Sequence, residues 1–290
     1  MKSGTVAVIG RANAGKSTLV NVLVGEKIAI VSPKPQTTRD RIMGVSNREN
    51  AQIVFIDTPG LYRQFNALTD AMMKTTEDTA KEVDMIAYVL DAHAGMTEED
   101  ISLVLKYQRM GLPMLVVLTK TDIMPAKEIP AAVKALSDAG VDADIYPVSA
   151  RKGKNLKKLE EGICALLPEG EPLYPDDIVS DRSEKFMVAE LMREKILLKY
   201  EKEIPHGVAV IVHTFEKKGG MYEIGLDIIC EKKSHKAILI GKGCAALKEA
   251  SSFARQSMEK FLGAKVYLTT YVKVVENWRD RQNLLKSFGY

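Results

Sequence analysis

Residues Gly10 to Ser17 read GRANAGKS, two glycines with four residues between them followed by a lysine and a hydroxyl. Glycines at that spacing let a backbone turn tightly and point successive N–H groups inward at a phosphate. Lys16 can reach the outer phosphates as a point charge, and the Ser17 hydroxyl can enter the shell of a magnesium ion. Gly10, Asn13, Ala14, Gly15, Lys16, Ser17 and Thr18 are therefore candidates for phosphate binding. Such a loop does not choose between ATP and GTP, or between a kinase and a switch.

Later residues make that choice. Asp57-Thr58-Pro59-Gly60 follows the apolar run Gln52 to Ile56, so Asp57 sits at a strand end where it can hold magnesium through water, and the Gly60 N–H can sense a γ-phosphate. Thr119-Lys120-Thr121-Asp122 closes the run Met114 to Leu118. A carboxylate there accepts two N–H bonds from the edge of guanine, a donor pair adenine lacks, and an unmatched carboxylate is costly. Asp122 is thus the candidate for base discrimination, with the Lys120 stem over the ring. Ser149-Ala150-Arg151 ends the next run, where the Ala150 N–H can meet the guanine O6; the tripeptide carries weight only through its place in the order.

The elements that must position these residues alternate in kind. Short apolar runs (Thr5 to Ile9, Gln52 to Ile56, Met85 to Leu90, Pro113 to Leu118, Ile145 to Val148) are separated by helical stretches at Ser17 to Val24, Thr97 to Arg109, Ala126 to Ala139 and Leu156 to Leu166. Buried strands alternating with helices predict an α/β domain with a mostly parallel sheet and helices on both faces. From Pro168 to Asp181 three prolines and a run of acids deny the chain a regular element. Beyond it the order becomes helix (Glu184 to Tyr200), two strands (Val208 to Phe215, Tyr222 to Cys230) around a Lys217-Lys218-Gly219-Gly220 hairpin turn, two helices (Ser234 to Leu239, Ala245 to Leu262) and a strand (Lys265 to Val274), an α+β domain. The expected division is 1–168, a linker 169–182, and 183–290.

Composition narrows the class. The chain has 290 residues, 46% hydrophobic and 27% charged, which fits two folded domains and argues against a disordered or fibrous chain. No apolar run approaches the roughly 20 residues needed to cross a bilayer, and the N-terminal residues lack the pattern of a secretory leader. The three cysteines, Cys164, Cys230 and Cys244, and the four histidines follow no disulfide or metal spacing, which suits a reducing cytoplasm. Residues 1–182 hold 22 Lys and Arg against 25 Asp and Glu, whereas 183–290 hold 19 against 13. The second part is either a candidate for phosphate-rich partners or simply a lysine-rich solvated surface.

In this order the motifs resemble the TRAFAC-class GTPases, and the chain from Lys2 to Asp280 resembles the Era family of bacterial ribosome-assembly GTPases. The most Era-like stretches are PQTTR at Pro35 to Arg39, DTPGL at Asp57 to Leu61, the PEGEPLYPDD linker and VKVVENWRD at Val272 to Asp280. The resemblance implies GTP hydrolysis with Mg2+ held by Ser17, Asp57 and a switch threonine, Thr38 or alternatively Thr37. Lys16, Thr38, Gly60 and Asn13 then form the catalytic set, Thr119, Lys120, Asp122, Ser149, Ala150 and Arg151 the guanine set, and Pro33 to Arg41 and Leu61 to Ala71 the moving segments. Thr119 departs from the family's asparagine. Leu61 stands where Ras-like enzymes carry a water-orienting glutamine, and Asn13 either helps to bind K+ or only caps the loop.

The second half resembles a type II KH domain, whose Gly-x-x-Gly loop clamps single-stranded RNA. Ile240, Gly241, Lys242, Gly243, Cys244 and Lys248 are the implied RNA-binding residues, with Cys244 in the place of the second glycine. The resemblance also implies the 3′ end of 16S rRNA and the 30S subunit as partners, a monomer, and a cytoplasmic location with peripheral contact at the inner membrane. Rival readings are an RNA-binding protein with a degenerate nucleotide domain, a P-loop ATPase or kinase, and a GTPase whose C-terminal domain is an adaptor.

Overall fold

The computed structural model describes residues 1–62 and 65–290. Two compact units emerge: Met1–Ala29, Thr38–Arg63 and Met72–Asp181 form the first, and Ile30–Thr37, Gln64–Ala71 and Arg182–Tyr290 the second.

The first unit is a six-stranded sheet of β1 (Lys2–Ile9), β2 (Ile42–Arg48), β3 (Ala51–Asp57), β4 (Met85–Asp91), β5 (Met114–Thr119) and β6 (Asp144–Pro147), in the order β2-β3-β1-β4-β5-β6. All pairs are parallel except β2 with β3. Helices α1 (Lys16–Val24), α2 (Ala67–Glu82), α3 (Glu98–Gln108), α4 (Ile129–Asp138) and α5 (Leu156–Leu166) lie between the strands in sequence. The apolar runs are strands because both faces are covered: Val6, Ala7, Ile9, Ile86, Val89 and Val116 are fully buried. Their C-terminal ends carry the nucleotide-type motifs, as open α/β sheets place their ligands.

Two elements were not legible as apolar runs. Helix α2 turns threonines, Thr69, Thr76 and Thr79, into its interior beside Leu68, Met72 and Ala80. Their hydroxyls bond back along the helix, Thr76 to Met72 O at 3.1 Å and Thr79 to Thr75 O at 2.7 Å, so no buried donor is wasted. Asn66 starts the helix by accepting from the Thr69 N–H at 2.9 Å, while Thr69 Oγ1 accepts from the Asn66 N–H at 3.1 Å, a reciprocal cap. Strand β2 lies inside a segment too polar to read as a run. It is completed by the linker: Val45 N–H donates to Val179 O at 2.8 Å, Ser180 Oγ to Met43 O at 2.7 Å, and Met43 N–H to Asp181 Oδ1 at 3.1 Å. The acidic, proline-rich stretch thus forms no helix or strand, yet it satisfies an edge that would otherwise expose its backbone.

In the second unit α6 (Glu184–Lys199), α7 (Lys233–Ile240) and α8 (Ala245–Leu262) accompany a sheet of β7 (Ala209–Lys218), β8 (Met221–Cys230) and β9 (Lys265–Val274), followed by α9 (Gln282–Ser287). β7 and β8 are antiparallel, β8 and β9 parallel. Gly219 and Gly220 turn the hairpin with φ of 57° and 82°, values that L side chains avoid. The core joins Leu191, Met192 and Ile196 of α6 to Ile224, Leu226 and Ile228 of β8 and Met258 of α8. This is the expected α+β arrangement of a KH domain.

Candidate functional site

Gly15 caps α1 in the left-handed conformation, φ 94°, with no side-chain cap. The first-turn N–H groups are thereby left to an anion, favoured further by the helix field. Two close approaches fix the loop. A Cβ on Gly10 would lie 2.2 Å from Val89 O, and one on Gly60 would lie 2.8 Å from Ala12 Cα, so the loop and the DTPG turn touch through backbone alone. Leu61 N–H donates to Gly10 O at 3.1 Å and Thr58 Oγ1 to Val8 O at 2.8 Å.

Lys16, Ser17, Thr38 and Asp57 converge. Ser17 Oγ lies 2.6 Å from Asp57 Oδ2 and 2.8 Å from Thr38 Oγ1, and Thr38 Oγ1 lies 3.3 Å from Asp57 Oδ2. Thr37 turns elsewhere, its hydroxyl donating to Lys34 O at 2.6 Å, which favours Thr38 over Thr37 as the switch threonine. Lys16 Nζ donates to Gly10 O at 2.9 Å and Arg11 O at 3.0 Å. Burial pushes the Lys16 ammonium down to about 8 despite the nearby Asp57, and pushes the Asp57 carboxyl up to about 6 against the pull of Lys16 and its hydrogen bonds. Asp57 is fully buried, and its Oδ1 has no hydrogen-bond partner among the described residues. A buried carboxylate oxygen without a partner beside two hydroxyls is a hard-oxygen donor set that fits Mg2+.

The base-side residues line one pocket: Thr119, Lys120, Asp122, Ile123, Ala150 and Arg151, with Gly15 and Thr18 on the loop side. Asp122 is exposed, and the Ser149 hydroxyl donates to its Oδ1 at 2.6 Å. That bond, ahead of a small opposing desolvation, holds the Asp122 carboxyl below its usual range, so it is an acceptor at neutral pH. Lys120, at φ 59°, is tethered to Asp91 at 2.6 Å, which aligns its stem. Thr119 Oγ1 lies 2.5 Å from Ala14 O and 3.0 Å from Leu90 O. Its single proton braces the phosphate loop, and no amide remains to reach a base. Asp91 and Ile123 escaped the sequence reading; an exposed isoleucine, 52% accessible, directly after Asp122 was the signal for the latter.

Leu61 is buried in the core beside Ile9 and Leu90 and cannot orient a water. Asn13 is exposed with φ 62°.

In the second unit the loop from Ile240 to Cys244 joins α7 to α8. Gly241 has φ 72° and ψ 172°, and a Cβ there would lie 2.7 Å from Ala246 Cβ. Gly243 and Cys244 follow at φ 59° and 62°. Lys242, Gly243, Cys244 and Lys248 are exposed, whereas Ile240 packs against the core. The loop therefore keeps the glycine-type backbone path with a cysteine in it.

Residues 5–120 match a family model described as a 50S ribosome-binding GTPase, and residues 203–279 match that of the KH domain. GTPase Era of Clostridium kluyveri is 43% identical over 291 residues, covering 100% of this chain and 99% of the relative. GTPase Era of Clostridium botulinum, strain Okra, is 42% identical, covering 100% and 98%. Among solved structures, an Era point variant from Aquifex aeolicus bound to GDP and AlF4− superposes with TM-score 0.96 at 38% identity, covering 100% of this chain and 99% of that one. Era in complex with MgGDPNP and nucleotides 1506–1542 of 16S ribosomal RNA superposes with TM-score 0.97 at 38% identity, with the same coverage.

Two outcomes test this geometry. Between the ordinary carboxylate range and about 6, folded Asp57 keeps a proton that the unfolded chain has lost, so its contribution to stability falls as pH rises through that window. Asp57→Asn is expected to raise the stability of the nucleotide-free protein at pH 7.5 by roughly 1–3 kcal/mol, the gain fading as the pH is lowered towards 4. Thermal unfolding across that range checks it. Cys244→Gly relieves a left-handed non-glycine residue and is expected to stabilise the second unit by about 0.5–1 kcal/mol, read in urea from the fluorescence of Trp278, the one tryptophan in the chain.

Proposed function

Because the chain belongs to the Era family of GTPases, we propose that its first unit binds GTP with Mg2+, hydrolyses it to GDP and phosphate, and thereby sets the RNA affinity of its second unit. The observation that carries this is the convergence of the Ser17 and Thr38 hydroxyls on Oδ2 of buried Asp57, whose Oδ1 has no hydrogen-bond partner among the described residues and whose charge feels Lys16. In this reading the backbone N–H groups of Gly10 to Thr18 bind the phosphates. Lys16 exchanges the carbonyls of Gly10 and Arg11 for the outer phosphates, and Gly60 donates to the γ-phosphate. Ser17, Thr38 and Asp57 hold the magnesium, which when bound neutralises charge developing on the transferred phosphoryl group. Thr119, Lys120, Asp122, Ser149, Ala150 and Arg151 surround the base, with Ser149 orienting Asp122.

With Leu61 buried and unable to orient the attacking water, hydrolysis needs another means of placing water and offsetting charge. The exposed Asn13 carboxamide is suited to holding K+ beside the phosphates. The loop of Ile240 to Cys244, with Lys242 and Lys248, clamps single-stranded RNA. By family membership that RNA is the 3′ end of 16S rRNA in the maturing 30S subunit. We further propose domain limits of 1–168, 169–182 and 183–290, a monomer, and a cytoplasmic location with peripheral contact at the inner membrane. Among the described residues no helix is long and apolar enough to cross a bilayer.

Asp122→Asn inverts one hydrogen-bonding position on the base edge. It is expected to weaken GTP binding by about 100-fold and to shift preference to xanthosine triphosphate. ATP outcompeting GTP on the unmodified protein would overturn guanine recognition. Steady-state GTP turnover is expected to rise several-fold when K+ replaces Na+ at equal ionic strength; equal rates would remove Asn13 from that role.

A further inference from the structure

Arg193 lies in the middle of α6 and is 0% exposed. Its Nε lies 2.6 Å from Oε1 of Glu190, one turn earlier in the helix, and its Nη2 faces the second oxygen of the same carboxylate. The other donors do not stay within the helix. Nη1 donates to the backbone carbonyl of Gln36 at 3.2 Å, and Nη2 to that of Thr37. The next residue, Glu194, is also buried and accepts the Val31 N–H at 3.1 Å. At the end of the helix the Tyr200 carbonyl accepts from Lys34 Nζ. The segment 31–37, part of the second unit, is thus gripped along its length by α6, almost entirely through its backbone.

A buried guanidinium costs several kcal/mol unless all its donors are met. Glu190 meets part of that demand, and the Gln36 and Thr37 carbonyls meet another part. The planar fork is rigid, so it fixes the direction of both carbonyls as well as their distance. The residue joined to Thr37 by the next peptide bond is Thr38, whose Oγ1 lies 2.8 Å from Ser17 Oγ.

We propose that Arg193 is a positioning residue for GTP hydrolysis: by holding the Gln36 and Thr37 carbonyls, it sets where the chain delivers the Thr38 hydroxyl. The proposal rests on the reading of Thr38 as a magnesium-holding residue. It makes α6 part of the machinery of hydrolysis, and it links the helix that begins the RNA-binding unit to the residue that distinguishes GTP from GDP. A segment held only by its own side chains would lack that link.

The test uses the full-length protein. Arg193→Ala strands the Glu190 carboxylate in the interior, so Arg193→Lys is the informative variant; it keeps the charge opposite Glu190 but has no fork to reach both carbonyls. Binding of a fluorescent, non-hydrolysable GTP analogue and of fluorescent GDP is measured across a magnesium titration, with Trp278 unfolding as a check on folding. Arg193→Lys is expected to weaken the GTP analogue about 10-fold, to raise the magnesium needed for half-saturation, and to leave GDP within twofold. Thr38→Ala is expected to do the same, and the double variant to be no worse than Thr38→Ala alone. Equal losses for the GTP analogue and GDP, or losses that add in the double variant, would show a merely structural arginine and overturn the proposal. An effective Thr38→Ala beside a silent Arg193→Lys would overturn it alone. A Thr38→Ala variant with unchanged magnesium dependence would overturn the metal reading and this proposal together.

Discussion

A lysine and an aspartate withdrawn from water without their ligands are the constraint around which the first unit is built. Lys16 and Asp57 are 6% and 0% exposed, and burial moves each towards its neutral form. Ordinary folding would remove such groups or pair them fully. Here the pair is kept short of partners: the ammonium leans on two carbonyls, and Asp57 Oδ1 has no hydrogen-bond partner among the described residues. A phosphate chain with a divalent cation would meet both demands at once. The glycines belong to the same economy. A Cβ at Gly10 or Gly60 would stand 2.2 or 2.8 Å from backbone atoms, and Gly15 takes a φ of 94° that L side chains avoid, so a side chain at any of the three would disturb the loop where the charges meet.

Most of the site was legible because its residues are local in sequence. Eight contiguous residues make the phosphate loop, DTPG sits at the end of a strand, and TKTD and SAR end two more. The strands that present them were legible as apolar runs because both faces of the sheet are covered. What stayed hidden has physical reasons. The buried face of α2 is carried by threonines whose hydroxyls are satisfied internally, so its apolar period is broken. β2 is completed by the linker 137 to 138 residues further on, a contact no local pattern announces. The role of Thr119 depends on the carbonyl of Ala14, more than 100 residues away in the chain.

The two departures from family pattern resolve differently. At Thr119 the hydroxyl lies against the carbonyls of Ala14 and Leu90, which braces the loop, while Ser149 orients Asp122. At Cys244 the backbone keeps the left-handed path that glycine would take, and the side chain bears the conformational cost. Neither substitution redirects the chain. Arg193, by contrast, could not be found from sequence at all. An arginine three residues after a glutamate on a helix reads as a solvent ion pair, and only burial and two distant carbonyls make it something else.

If the state of the nucleotide reaches the RNA-binding loop, as proposed, RNA must bind one nucleotide state more tightly than the other. Equilibrium binding of a labelled single strand carrying the 3′ end of 16S rRNA tests this most directly. It would be measured at one fixed salt concentration with the full-length protein loaded with a non-hydrolysable GTP analogue, with GDP, or with neither. The expected affinity is at least about 10-fold higher with the GTP analogue than with GDP, a coupling of about 1.4 kcal/mol, if the two units are coupled. Equal affinity in all three states would contradict it.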